Sequence, residues 1–163
     1  MEILEIKDKE LHRIVTTTIV YRPDFTYLIT KRSLNKKVQP GKWCFPGGGL
    51  NVDDYINTPP STSAGQWYGA LEKSLRRELR EEVNVEIEKP EFYTDFVFIT
   101  PKGVPVMGFT YFAKYLSGEV VLDEDSTEFA WVSLDDAKKY DLITGLWEEL
   151  RPVDEILKGR VFK

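Results

Sequence analysis

The sequence predicts an α/β fold in which helices cover the faces of a mixed β-sheet. Short segments rich in β-branched and aromatic residues precede and follow one strongly amphipathic helical pattern, and a second helical pattern comes near the end. The 163 residues show no internal repeat and no break in composition, and their number is typical of one domain. We therefore expect residues 1–163 to form a single domain.

The first strands lie early in the chain. Ile14 to Tyr21 is rich in threonine and β-branched residues, and Phe25 to Lys31 returns after the turn Arg22-Pro23-Asp24. Trp43-Cys44-Phe45 predicts a short apolar strand. A proline and the three glycines Gly47 to Gly49 then predict a turn that ends this strand.

The amphipathic helix follows an irregular loop. Residues Asn51 to Gly65 contain two consecutive prolines followed by serine, threonine and glycine, a composition typical of turns. Helical periodicity begins near Trp67. Its apolar positions recur at three- and four-residue spacing at Ala70, Leu71, Leu75, Leu79 and Val83. Asn84 comes next and can adopt the left-handed conformation that ends a helix.

Three further strands are predicted after the helix. They are Phe92 to Thr100, Val104 to Tyr115 and the short segment Phe129 to Val132. The second is almost wholly apolar or aromatic, so we expect it at the centre of the sheet. Ser133-Leu134-Asp135-Asp136 resembles a capping box and predicts the start of a short helix.

The last predicted helix spans roughly Thr144 to Lys158. Its apolar stripe consists of Leu146, Leu150, Val153 and Leu157. Because Pro152 has no amide hydrogen and crowds the preceding turn, we expect a kink or two short helices.

Composition and charge exclude several classes of function. A net charge of -5 disfavours binding to extended nucleic acid, whereas a small phosphorylated, metal-complexed ligand remains compatible. Cys44 and His12 are the only cysteine and histidine, so an internal disulfide is excluded and histidine-based catalysis is disfavoured. The segment Met1 to Asp8 lacks the features of a signal peptide, and no apolar run is long enough to span a membrane. We expect a cytoplasmic protein.

The predicted helix carries a cluster of acidic residues. Glu78, Glu81 and Glu82 stand at positions i, i+3 and i+4, beside Arg77, and therefore share one helical face. Their mutual repulsion would be relieved by a divalent cation, and magnesium prefers such hard oxygen ligands. The alternative is a solvated acidic face with surface pairs such as Arg77–Glu81. With the preceding glycines, the pattern favours a metal-assisted hydrolase that acts on phosphates.

The glycines and the acidic helix together resemble the signature of the Nudix hydrolases. The matching segments are Pro46-Gly47-Gly48-Gly49 and Arg77-Glu78-Leu79-Arg80-Glu81-Glu82-Val83-Asn84-Val85. Flanking segments are similar to that family too, namely Lys31-Arg32-Ser33, Pro40-Gly41-Lys42-Trp43 and Trp131-Val132-Ser133-Leu134. The resemblance covers residues 13 to 157, nearly the whole chain.

The resemblance implies a fold, a reaction and a set of site residues. The fold would be an α/β/α sandwich, and the reaction would be hydrolysis of a pyrophosphate bond in a nucleoside diphosphate linked to another moiety. A metal-activated water would be the nucleophile, with Mg²⁺ or Mn²⁺ as the cofactor. The metal-binding roles would fall to Gly48, Glu78, Glu81 and Glu82, and Arg77 would orient the glutamates.

The chain departs from the family signature at two places. The segment between Gly48 and Arg77 is much longer than the signature allows, which indicates an insertion at about residues 51–68. The family glutamate that braces the arginine is replaced by Asp54 when counted forward and by Gly69 when counted back. We expect Asp54, rather than Glu72, to brace Arg77. Asn84 replaces a family glycine, and asparagine tolerates positive φ best after glycine.

Other residues are candidates for substrate contact or proton transfer. Arg32, at the end of a strand that leads to the site, is the best candidate for binding phosphate. Tyr55 and Trp67 could stack on a base or could equally pack the insertion onto the sheet. Glu128, three residues before Trp131, matches a late-loop acid of the family that serves as an extra ligand or general base; its alternative is a surface turn residue.

Two other functions of related folds are alternatives to hydrolysis. A Nudix-like regulatory domain would bind a nucleotide without cleaving it, but such domains usually lose metal-ligand acids that this chain keeps. Isopentenyl diphosphate isomerase shares the fold but normally needs a catalytic cysteine and several histidines. We expect a small-molecule nucleotide partner, no nucleic acid duplex, no membrane, and a monomer or homodimer. The substrate itself lies beyond what the signature specifies.

Overall fold

The computed structural model describes residues 8–161 of the chain. The prediction made for Met1 to Asp8 therefore falls almost wholly outside the described residues. No helix within residues 8–161 is both long enough and apolar enough to cross a bilayer.

The strands and helices follow the predicted order. In chain order they are β1 (Arg13–Tyr21), β2 (Tyr27–Arg32), β3 (Trp43–Cys44), β4 (Gly47–Gly49), α1 (Ala70–Val83), β5 (Glu86–Ile87), β6 (Glu91–Ile99), β7 (Pro105–Ser117), β8 (Ser126–Val132), α2 (Leu134–Ala137) and α3 (Leu146–Val161). A 3₁₀ turn, Val52–Asp54, lies between β4 and α1.

All of these strands belong to one mixed sheet. Its main order is β3-β2-β1-β7-β5, with β4 paired to β1, β6 to β7 and β8 to β2. The β1–β7 pair is parallel along the whole of β1, and the other pairs are antiparallel. The predicted central position of β7 is confirmed, because β7 contacts β1, β5 and β6.

Helices cover both faces of the sheet, as predicted. The buried stripe of α1 packs on one face in a cluster that contains Leu75, Leu79, Val83, Val20, Leu28 and Ala113. The buried stripe of α3 packs on the other face in a cluster that contains Leu146, Leu150, Val153, Leu157, Ile19, Ile29 and Phe112. Burial of these two apolar layers is the main source of stability.

Four local predictions need correction. The glycines Gly47–Gly49 form a strand rather than a turn. The two-residue strand β5 was not predicted, because so short a segment carries no periodic signal. Helix α1 begins at Ala70 rather than near Trp67. Helix α3 continues through Pro152 as one helix, which excludes the predicted alternative of two short helices, because packing of its apolar stripe outweighs the loss of one backbone hydrogen bond.

The predicted end of α1 is confirmed. Asn84 adopts a left-handed conformation with φ of 55°. Its backbone N–H donates to the carbonyl of Arg80 at 3.1 Å, and the N–H of Val85 donates to the carbonyl of Leu79 at 3.2 Å. The chain can therefore turn directly into the sheet after the acidic helix.

Candidate active site

A polar cavity of about 200 Å³ lies where the glycine strand, the acidic helix and the loop before β8 meet. Its lining consists of Arg13, Arg32, Lys36, Gly47, Gly48, Gly49, Glu78, Glu82, Asp123, Asp125 and Ser126. The cavity therefore brings together residues that lie more than a hundred positions apart in the sequence.

The glycines allow two close approaches. Strand β4 pairs with β1, and a Cβ added to Gly47 would lie 2.1 Å from the carbonyl oxygen of Thr16. A Cβ added to Gly48 would lie 2.2 Å from a carboxylate oxygen of Glu78. Glycine is needed here because backbone and carboxylate occupy the space of a side chain, rather than for a positive φ.

Glu82 is the most strongly perturbed carboxylate of the cavity. It accepts hydrogen bonds from the backbone N–H of Gly47 at 2.9 Å and from the hydroxyl of Ser126 at 3.4 Å. Burial raises the pKa of Glu82 to about 7, and the neighbouring acids Asp123 and Glu78 act in the same direction. The glycine strand and β8 thus hold this side chain in place.

Arg77 holds a second carboxylate, and the predicted brace for Arg77 is present. Its guanidinium makes two hydrogen bonds to Asp54, from Nε to Oδ1 and, at 3.1 Å, from Nη2 to Oδ2. The same group donates to Glu78 at 2.8 Å and to the carbonyl of Gly49 at 3.0 Å. The hydrogen bond from Arg77 holds the pKa of Asp54 below its usual range.

The alternative brace, Glu72, pairs with Arg76 at 2.9 Å instead. Asp54 is available because it closes a capping box with Asn51, whose backbone N–H donates to Asp54 at 2.8 Å. The side chain of Asp54 is only 1% exposed. The prediction that Asp54 rather than Glu72 contacts Arg77 is therefore confirmed.

Glu81 and Glu128 lie at the margin of the site or away from it. The side chain of Glu81 is 59% exposed and bonds to Arg77 at 2.9 Å. Glu128 pairs with Lys31 at 2.6 Å across the β2–β8 ladder. The late-loop carboxylates that do line the cavity are Asp123 and Asp125. Burial raises the pKa of Asp123.

The predicted substrate-binding residues separate into two groups. Arg32 lines the cavity, and its Nε donates to the carbonyl of Val38 at 2.9 Å. Tyr55 and Trp67 contact each other inside the loop between β4 and α1, with ring centroids 5.4 Å apart, and the Trp67 indole N–H donates to the carbonyl of Thr58 at 2.8 Å. The structure thus brings Arg32 to the cavity and places the two aromatic residues in the packing of the loop.

The NUDIX domain family model matches residues 11–154, which include all residues that line the cavity, helix α1 and the first part of helix α3. The chain belongs to the Nudix family. It is accordingly a hydrolase that acts on pyrophosphate bonds, and the predicted family and fold are confirmed.

Individual relatives support the same assignment. The chain is 28% identical over 138 residues to a nucleoside triphosphatase NudI from Escherichia coli, an alignment that covers 78% of this chain and 87% of the relative. The MutT protein from Methanosarcina mazei has a TM-score of 0.69 at 21% identity and covers 91% of this chain and 97% of its own. The NUDIX domain of Shewanella oneidensis NrtR, solved with ADP ribose, has a TM-score of 0.69 at 15% identity over 91% of this chain and 90% of its own.

Nudix hydrolases generally use divalent metal ions, and this cavity is lined by carboxylate side chains, the type of ligand that such an ion binds. Glu78, Glu82 and Asp123 are partly buried carboxylates, and burial raises the pKa of each. Negative charge is therefore costly there without a cation. Within residues 8–161, no three histidine, cysteine, aspartate or glutamate side chains are gathered as a metal-binding group. Glu81 is directed to Arg77, so complete coordination would require it to turn.

Proposed function

We propose that this Nudix hydrolase is a metal-dependent nucleotide pyrophosphohydrolase whose substrate contains a nucleoside diphosphate linked to a further group. One observation carries the proposal: Glu78, Glu82 and Asp123 face the same cavity as Arg32. Carboxylate oxygens can bind a divalent cation, and a guanidinium can bind phosphate oxygens. The cavity therefore offers ligands for both the metal and the phosphate of a metal–phosphate complex. The name of the Escherichia coli relative makes nucleoside triphosphates the first class to test.

Different residues are proposed to bind the phosphates, to orient a carboxylate and to accept a proton. In the proposed reaction, water attacks one phosphorus of the anhydride, the bond to the bridging oxygen breaks, and that oxygen leaves with the other phosphate. Arg32 would bind phosphoryl oxygens, and Arg77 would keep Glu78 oriented. Asp123 is the proposed acceptor for the proton of the attacking water, because it is the partly buried late-loop carboxylate at the cavity.

A divalent cation would complete the site. Glu78, Glu81, Glu82 and the carbonyl of Gly48 are the residues that would hold it. When bound, Mg²⁺ or Mn²⁺ would neutralise phosphate charge and lower the pKa of a bound water.

Removal of metal should abolish hydrolysis without unfolding the chain. We expect EDTA to lower phosphate release from nucleoside triphosphates to background, and added Mg²⁺ or Mn²⁺ to restore it. A panel with sugar nucleotides, ADP-ribose and dinucleoside polyphosphates identifies the preferred class. Circular dichroism with and without EDTA separates loss of the cofactor from loss of the fold. Full activity in EDTA would contradict the metal proposal.

The insertion should affect substrate choice more than stability. Deletion of Ile56 to Ala64 removes Thr58, the partner of the Trp67 indole, but leaves Asp54 and its contact with Arg77. We therefore expect a change in KM or in substrate preference, with a small change in Tm. A large fall in Tm with unchanged kinetics would instead assign the loop a structural role.

A regulatory function is the second candidate. The NrtR domain has the same fold and is solved with ADP ribose. Binding of ADP ribose without hydrolysis, in the presence of Mg²⁺ or Mn²⁺, would favour this alternative. Against it stand the three acids of the α1 motif, which are all present.

A further inference from the structure

Arg13 is a cavity residue that the proposed function leaves without a role. It stands at the first position of β1, is exposed, and lines the same cavity as Glu78 and Glu82. Its guanidinium lies against Gly49, because a Cβ added there would be 3.2 Å from Nη2 of Arg13. The glycine strand therefore leaves the space that this arginine occupies.

Three positively charged side chains line the cavity, namely Arg13, Arg32 and Lys36, and they differ in whether an acid pairs with them. Lys36 is neutralised by Asp125 at 2.7 Å. Among residues 8–161, neither Arg13 nor Arg32 has a carboxylate within salt-bridge distance, although acids line the same cavity. Two guanidiniums thus line the cavity without forming an ion pair to any carboxylate of the described part of the chain. A planar guanidinium with paired donors suits the oxygens of a phosphate.

The sheet topology places these arginines on opposite sides of the glycine strand. One edge of β1 is occupied along its length by β7, so β4 and β2 share the other edge. Arg13 begins β1, beside β4, and Arg32 ends β2, opposite Ser126 of β8. Because β1 and β2 are antiparallel, both arginines lie at the same end of the sheet, with β4 between them.

We infer that Arg13 is a second phosphate-binding residue, which works with Arg32 to hold the two ends of a polyphosphate chain across the glycine strand. We expect a chain of three phosphates to contact both guanidiniums while its middle lies near the carboxylates that line the same cavity. A diphosphate between two sugars offers fewer oxygens to this arrangement. The inference rests on the proposed function and narrows it to substrates with three or more linked phosphates.

The test measures binding directly, so that it does not depend on turnover. Titration calorimetry of the full chain with inorganic tripolyphosphate and with pyrophosphate, each with Mg²⁺, gives the affinity of wild type, Arg13→Gln and Arg13→Lys. Arg151→Gln is the matched control, since Arg151 is an exposed arginine of α3 whose loss changes the net charge equally. Thermal melts of each variant report folding.

We expect Arg13→Gln to weaken tripolyphosphate binding about 10-fold or more, because a hydrogen bond to a charged group is lost. Arg13→Lys should lie between this variant and wild type, and Arg151→Gln should stay within about twofold of wild type. The loss should be smaller for pyrophosphate. Kinetics with a nucleoside triphosphate should show the effect mainly in KM.

Two results would overturn the inference. One is tripolyphosphate binding by Arg13→Gln that equals that of wild type. The other is an equal loss in Arg151→Gln, which would reveal a general charge effect. Tripolyphosphate binding that depends on Arg13, in a protein that hydrolyses none of the substrate panel, would instead refute the proposed function alone.

Discussion

Glu82→Gln should lower kcat roughly 100-fold to 1000-fold, a loss of the size found when one preorganised electrostatic group is removed from an active site. Glutamine keeps the shape of the side chain: its amide oxygen can still accept the hydrogen bond from the backbone N–H of Gly47, and its NH2 group can donate to the hydroxyl of Ser126. What it removes is a negative charge in the cavity that is expected to hold the cation. The decisive measurement is kcat at saturating Mg²⁺, with circular dichroism to establish that the variant is folded.

Glu155→Gln provides the matched control for this experiment. Glu155 is an exposed residue of α3 that pairs with Arg151, away from the cavity. Its replacement changes the charge of the protein by the same amount, and we expect it to leave kcat unaltered. A folded Glu82→Gln variant with wild-type activity would show that the cation, if any, binds elsewhere.

Asp54→Asn should lower both stability and activity. The carboxylate of Asp54 is almost fully buried against a partly exposed guanidinium, so we expect a loss of about 1–3 kcal/mol in the free energy of unfolding. Arg77 would then hold Glu78 less firmly, and we expect kcat to fall about 10-fold to 100-fold, as for partners of metal ligands. Urea denaturation and steady-state kinetics measure the two effects.

Glu72→Gln separates this bracing contact from an ordinary helical ion pair. Glu72 and Arg76 form an i, i+4 pair in which Glu72 is 44% exposed, and such pairs contribute about 0.3–0.5 kcal/mol. Its replacement should leave kcat unchanged. If Asp54→Asn and Glu72→Gln both keep the wild-type kcat, the contact between Asp54 and Arg77 has no role in catalysis. Glu81 or the carbonyl of Gly49 would then suffice to position Arg77.

The sequence was sufficient to predict those parts of the fold that rest on local periodicity. The apolar spacing of α1 reports which side is buried, and the β-branched and aromatic composition of β1 and β7 indicates strands, so element types and the acidic face followed directly. The Asp54–Arg77 contact was also predictable, because the interval from Gly48 to Asp54 matches that of the family signature. The glycine segment was misjudged as a turn because its pairing with β1 is a non-local contact.

The remaining cavity residues could not be found from local patterns. Arg13 comes just before the predicted strand Ile14 to Tyr21, where a charged residue is common and indicates no function. Only the pairing of β4 with β1 brings Arg13 to the cavity. Sequence position favoured Glu128 among the late-loop acids, whereas no local pattern singled out Asp123. The β2–β8 register decides between them, since it sets Glu128 opposite Lys31. A cross-strand partner of this kind leaves no signal in a single sequence.

The capping box at Asn51 and Asp54 separates the contact with Arg77 from the loop that follows, so we expect that loop to tolerate replacement. Asp54 already braces Arg77 at the start of the loop between β4 and α1. The loop residues that follow form hydrogen bonds with one another, as in the pairs Trp67–Thr58 and Tyr68–Ser61. Loop length can therefore vary without altering the geometry of the acidic helix, at a modest entropic cost. For protein engineering, we expect residues 56–68 to be a position at which foreign recognition loops can be grafted while the acidic helix and its contact with Asp54 stay unchanged.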